Sequence, residues 1–287
     1  MALLSSEPGI AERSSRYGGV LNLFVPVERA WHFRDLIRAI LTRELASRFR
    51  GSMFGWMWAV AAPLVLMTGY TIVFSGIITV AHVGAHTTFG TRALLIFSGI
   101  TIFSLVSELL YRGPVLLHEH ASFIKKSIFP TETLAWIAVL RGLVYALISM
   151  AVLLLFELAL TWQIPWTTLL VPLVILPLLA FLLGVTWFLM ALGAFTRDIA
   201  HLMTTIVPLM MWMTPIFYGF SDIPERIRPW MRLNIIGDYV DMFRDLVIVG
   251  SIPSLTLYGA CCAFSVATFA LGYVFFIRYK SIIVDVI

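Results

Sequence analysis

The side chains able to bind a metal, move a proton or grip an anion are few in this chain, and most stand alone. His82 and His86 have the i,i+4 spacing that can hold zinc from one helix face, but they fall in a polar loop with no third ligand nearby, so no metal site is assigned. His118 and His120 are two apart, which on a helix aims them at different faces. Asp238, Asp241 and Asp245 share one face of a short helical segment, with Arg244 beside them; a cation site and a hydrated acidic face both fit that spacing. Glu44 precedes Arg48 by one turn, the acid-before-base order that favours an i,i+4 ion pair. Cys261 and Cys262 are neighbours in an apolar run and read as packing residues. There is no Gly-Lys dipeptide, hence no phosphate-cradling ATPase loop, and H-E-x-x-H, G-x-S-x-G and Cys-x-x-Cys are missing too. The pattern predicts no catalytic residue and no cofactor on this chain.

The elements that must position these residues are set by composition. Of 287 residues, 60% are hydrophobic and 13% charged, about half the roughly 25% charge of a soluble globule. Mean hydropathy is +0.93. Such a chain cannot cover itself with polar surface, and at about 20 apolar residues per crossing it supplies around six helical spans. Charge-free windows place them at 56–80, 93–111, 133–160, 166–195, 199–219 and 254–277. Glu108, Arg141 and Glu157 are the charges inside them, all near span ends. Lys and Arg accumulate before the first span, between the second and third, at Arg197, and at Arg278 and Lys280, which predicts both termini on the cytoplasmic side. The net charge of +4 comes from scattered arginines without a stacked basic patch, so nucleic acid is not a partner. Residues 1–27 lack a sustained apolar core, and no cleaved leader is predicted.

The expected architecture is an all-α membrane protein: a cytoplasmic segment 1–55, a six-span domain 56–277 and a cytoplasmic tail 278–287. Three segments do not span. Residues 32–49 place Phe33, Leu36, Ile37, Ile40, Leu41 and Leu45 at helical spacing, an amphipathic helix for the membrane interface. Glu44 interrupts that stripe, so its pair with Arg48 is either a surface ion pair or a contact with a cytoplasmic partner. Residues 118–133 present Phe123 and Ile124 among His118, Glu119, His120, Lys125 and Lys126 before Pro130, either a solvated loop or a docking helix. Residues 220–253, rich in Pro, Trp and Asp, predict two short re-entrant helices on the outer side, roughly 224–233 and 238–249.

Three blocks carry a family resemblance: RELASRFRGSMFGWMWAVAAPLVLMTGYTIVFS at 43–75, FIKKSIFPTETL at 123–134, and TRDIAHLMTTIVPLMMWMTPIFYGFSDIPERIRPWMRLN at 196–234. They resemble the membrane-spanning permease subunits of ATP-binding-cassette exporters for bacterial surface polysaccharides, the O-antigen, teichoic acid and capsule type. The chain departs at Asn234 and Ile235, where the family often has Asn-Pro.

The resemblance implies a half-transporter in the bacterial inner membrane, paired with an identical copy and two cytoplasmic ATPase subunits that bind ATP and Mg, moving a lipid-linked polysaccharide. It implies that 118–133 is the ATPase-coupling segment. The absence of an internal repeat agrees with a twofold homodimer. Pro63, Pro208 and Pro215 are expected bending points in spans one and five. Sugars pack their C–H faces on aromatic rings, so Tyr70, Phe74, Trp212, Phe217 and Tyr218 are candidates for a conduit; membrane-interface anchoring is the alternative for each. A drug or small-lipid exporter, or a membrane enzyme of lipid-linked sugars, are the competing classes.

Overall fold

A computed structural model describes residues 24–75, 89–121, 124, 130–218, 225–226, 231 and 234–286, and every element among them is helical. α1 is Val25–His32, with Pro26 in its first turn, where a missing N–H costs nothing. α2, Arg34–Arg48, is the expected amphipathic helix and buries Ile37 and Ile40. α3 is Met57–Ser75 with Pro63 inside it, and α4 is Phe89–Arg112. α4 runs on through a 3-10 turn, Gly113–Val115, into α5, Leu116–Glu119, so the second apolar helix extends past the expected end at 111. α6 is Thr133–Thr161; α7, Val171–Phe195, follows a 3-10 turn at Trp166–Leu170. α8 is Asp198–Met213, α9 is Ile235–Arg244 continued by a π turn at Asp245–Val249, and α10 is Leu255–Val286.

Four helical stretches are long and apolar enough to cross a bilayer: Ala93–Glu119, Thr133–Thr161, Trp166–Phe195 and Leu255–Ile283. Two of the expected six, Met57–Gly69 and Asp198–Met213, are shorter apolar helices. α8 ends at Met213 because Thr214 turns extended (φ −91°, ψ 133°) ahead of Pro215, whose ring disfavours helix at the residue before it. Pro215 is therefore a terminator, whereas Pro208 and Pro63 do sit within helices. The first helix expected in 220–253, at 224–233, falls almost entirely outside the described residues; at the second a helix is present, beginning three residues early. Asn234 caps it, its side chain accepting from the Ile236 N–H at 3.1 Å. That leaves Ile235 at the first helical position, where proline is equally suited, so Asn-Ile and Asn-Pro make the same turn.

α4 is the central helix, with Leu94, Leu95, Ile96, Ile102, Leu105, Val106 and Leu109 all buried. It packs on α3, α6, α8 and α9, while α7 and α10 form the most extensive helix pair. Glycine makes that pair possible. A Cβ at Gly272 would lie 2.0 Å from the Gly184 carbonyl oxygen, and one at Gly184 would lie 2.3 Å from that of Thr268, so the two backbones approach as closely as small residues allow. Trp187, fully buried on α7, wedges edge-on against Phe269 and Tyr273 of α10 at ring separations of 5.2 and 5.1 Å.

Candidate functional site: an ion cluster under the interface helix

Glu44 projects from α2 into the bundle rather than along its own helix. Its Oε2 accepts from Arg112 at the end of α4 (3.0 Å) and from Arg141 on α6 (3.3 Å), and its Oε1 meets Nε2 of His120, just beyond α5, at 3.1 Å. Arg112 also donates to Glu119 at 2.9 Å, and Arg141 donates to Glu108 at 2.5 Å. The expected Glu44 pair with Arg48 is not made. The nearest carboxylate contact of Arg48 is Glu108 at 4.0 Å, and its guanidinium lies over the Tyr145 ring, 4.2 Å from the centroid. Long-range cations with better geometry displace the local partner.

The electrostatics follow from this crowding. Burial raises the Glu44 carboxyl, but the His120 hydrogen bond and the charges of Arg112 and Arg141 outweigh it and hold the group at about 2. Burial lowers His120, yet its bonds to Glu44 and to the Leu116 carbonyl leave it above its usual value. The cluster thus joins α2 to the start of segment 118–133 and to α4 and α6 through charge-assisted bonds. Glu108 and Arg141, read from sequence as charges near span ends, are paired with each other.

A second ionic staple sits at Glu132, where Arg29 of α1 (2.7 Å) and Lys280 of α10 (2.6 Å) converge on one buried carboxylate. Burial opposes its ionisation, and the Lys280 charge overcomes this, leaving Glu132 below the usual carboxylate range. Trp187 Nε1 donates to the Glu132 carbonyl at 3.0 Å. Glu132 was not singled out from sequence and Lys280 was read only as a topology marker, because no spacing rule links residues so far apart.

Of the coupling residues, His118 contacts the Gly193 carbonyl at 3.2 Å through Nε2, Glu119 is bound by Arg112, and Ile124 is buried. Phe123, Lys125 and Lys126 lie outside the described residues. Of the conduit residues, Trp212 is exposed, whereas Phe217 is 2% exposed and stacks 5.4 Å from it. Tyr218 is half-buried and donates to the Trp212 carbonyl. Tyr70 and Phe74 lie on α3, and their side chains are outside what is described. Sequence reasoning missed the rest of α8's outer stripe: His201, Thr204, Thr205 and Pro208 are exposed together with Trp212, at one helical spacing. That signal was readable as i, i+3, i+4, i+7, i+11.

Asp241 is not part of an open acidic face, because it is the counter-ion of Arg244 at 3.1 Å. Arg244 is buried and also donates to the carbonyls of Leu95 and Pro215, at 3.2 and 3.3 Å, tying α9 to α4 and to the break after α8. Among the described residues, no group of three metal-ligating side chains converges.

Residues 35–248 match the family model described as ABC-2 type transporter. The chain belongs to that family. The match runs from the second residue of α2 to the π turn after α9, so the ion cluster, the α8 stripe and Arg244 of this ABC-2 chain all lie inside it, while Lys280 and α10 lie beyond. The chain is 25% identical over 199 residues to the O-antigen export system permease protein RfbA of Myxococcus xanthus, covering 69% of this chain and 74% of that one. It is 26% identical over 220 residues to the protein of the same name from Klebsiella pneumoniae, covering 76% and 82%. A second Klebsiella pneumoniae RfbA is 23% identical over 222 residues, covering 75% and 81%. The ABC-2 chain is a multi-pass membrane protein of helices.

Proposed function

We propose that this chain is the permease half of an ATP-driven exporter that moves a lipid-linked, O-antigen-like polysaccharide across the bacterial inner membrane. Two copies form the pathway, two separate ATPase subunits hydrolyse ATP, and both termini face the cytoplasm. The observation that carries the reading is the α8 stripe. His201, Thr204 and Thr205 are exposed on α8, an apolar helix, and hydrocarbon is a poor solvent for the imidazole and the Thr205 hydroxyl, while the Thr204 hydroxyl donates to the His201 carbonyl at 2.6 Å. Facing a second copy across a water-filled path, the same groups meet glycan hydroxyls, and Trp212 offers a ring for sugar C–H faces. The names of the relatives support polysaccharide as the cargo. Closure of the ATPases on segment 118–133 reaches the bundle through the Glu44 cluster, which ties that segment to α2, α4 and α6.

The test is complementation. Deleting the gene should abolish the surface polysaccharide, and wild-type chain supplied with its ATPase should restore it. A Thr204→Leu, Thr205→Leu double variant should reach the membrane at normal levels and restore under a tenth of the polymer. Wild-type polymer in the double variant would remove the conduit; drug resistance conferred without any change in surface polymer would favour the small-molecule exporter instead.

A further inference from the structure

The bundle leaves an open cleft of about 690 Å³ among α2, α3, α4 and α6. Its two ends differ in chemistry. One is lined by Arg48, Arg112 and Arg141 with Glu44 and Glu108, and the other by Trp58, Pro63, Leu66, Phe97 and Ile100. Three arginines and two glutamates line the charged end, and Glu119 just outside it also pairs with Arg112, so Arg112 and Arg141 are both matched by carboxylates. Arg48 is the least matched of the three. Among the described residues, the one carboxylate oxygen within 4 Å of it, on Glu108 at 4.0 Å, is already 2.5 Å from Arg141. Its guanidinium is stacked over Tyr145, its side chain is 49% exposed, and it lines the cleft with no strong acceptor on it among the described residues.

A charged end continuous with an apolar wall is the outline of an amphiphile. We propose that the cleft holds an anionic phospholipid of the surrounding bilayer, its phosphate on Arg48 and the upper part of one acyl chain against Pro63, Leu66 and Ile100. The volume lies within the roughly 300–1,000 Å³ of small-ligand sites, enough for a headgroup and a length of chain. Free phosphate would leave the apolar wall uncovered. The cargo is disfavoured by position, because no residue of α8 lines the cleft and it shares nothing with the stripe read as the polymer path. A lipid seated here bridges the interface helix to the first span. The proposal stands whether or not the polysaccharide reading does.

The test is native mass spectrometry of the full-length chain, purified and delipidated in neutral detergent. It is titrated separately with phosphatidylglycerol, phosphatidylcholine of the same acyl chains, undecaprenyl diphosphate and inorganic phosphate. Phosphatidylglycerol should bind most tightly. Arg48→Gln should weaken it about tenfold, the worth of one charge-assisted bond, without changing phosphatidylcholine. Arg48→Lys should recover part of the loss. Arg38→Gln, the same charge change on the exposed side of α2, should alter neither lipid. Leu66→Trp, which fills the apolar end, should also weaken phosphatidylglycerol and keeps the question answerable if the arginine variants fail to fold. Equal binding of the two phospholipids, equal effects of Arg48→Gln and Arg38→Gln, or binding of undecaprenyl diphosphate or phosphate where phosphatidylglycerol does not bind would each overturn the proposal.

Discussion

Removing the Glu44 carboxylate would leave Arg112, Arg141 and His120 crowded together, with Glu119 still on Arg112 and Glu108 still on Arg141. Stranding part-buried cations is costly, so Glu44→Gln should destabilise the detergent-solubilised chain by about 2 kcal/mol, discounted from the 3–5 kcal/mol of a fully buried pair. The signs of the two shifts set the pH window. His120 is raised above its ordinary value of 6.5, so its contribution is complete below that and fades as pH climbs through the raised value. Glu44, held at about 2 against an ordinary 4.5, contributes fully above 4.5 and is lost as pH falls toward 2. Melting temperature should therefore plateau in mildly acidic buffer and decline on the alkaline side, and His120→Gln should flatten that alkaline decline. An identical alkaline slope in both proteins would show that His120 is not the titrating group. Glu44 was legible in sequence as a charge misplaced in an apolar stripe. Its partners were not: i,i+4 spacing is a local rule, and Arg112 and Arg141 stand 68 and 97 residues away.

Among the elements, the α7 and α10 pair rests on backbone contact that tolerates no added atom. Gly272→Ala would put a methyl carbon within 2.0 Å of the Gly184 carbonyl oxygen, which no rotamer can relieve. The helices must part, at about 1–3 kcal/mol. The expected result is a lower melting temperature and less monodisperse protein after size exclusion. Gly259→Ala on the same helix, with nothing within 4 Å of its Cβ, should be neutral or slightly stabilising, because alanine is the better helix former. Equal behaviour of the two variants would mean that α7 and α10 are not held at this distance. Helix existence was readable because apolar runs need no partner to be recognised, and α6 and α7 begin and end close to their charge-free windows. Helix ends were harder. The fifth window ran to 219 because no charge falls before Asp222, with Pro215 read as a bend inside it, whereas the effect of Pro215 on Thr214 ends α8 at Met213. The packing position of α9 was less legible still, because it is fixed by Arg244 reaching carbonyls of α4 and of the segment after α8.

At the scale of the whole molecule, what a lone chain leaves exposed indicates what it faces when assembled. α8 carries two adjacent outer stripes: His201, Thr204, Thr205, Pro208 and Trp212 on one, and the apolar Leu202, Leu209 and Met213 on the other. Both are exposed in the isolated chain, so burial alone cannot separate water from lipid. Chemistry can. With Cys261 and Cys262 first replaced by alanine, single cysteines at Thr204, Thr205, Leu202 and Leu209 are challenged in intact membranes with a charged, membrane-impermeant thiol reagent and then with an apolar maleimide. A thiol reacts as thiolate, which forms in water and not in hydrocarbon. A twofold assembly with α8 along a hydrated path predicts that Thr204→Cys and Thr205→Cys react with the charged reagent at least about tenfold faster than Leu202→Cys and Leu209→Cys, and that a cycling ATPase changes the rate at the first two sites only. After denaturation in detergent the apolar maleimide should label all four, which shows that the slow sites carry intact thiols. Equal protection of all four from the charged reagent would place the entire outer face of α8 in lipid or in a tight subunit contact. The polar stripe would then be a packing seam, and the polymer path would have to be sought on another helix.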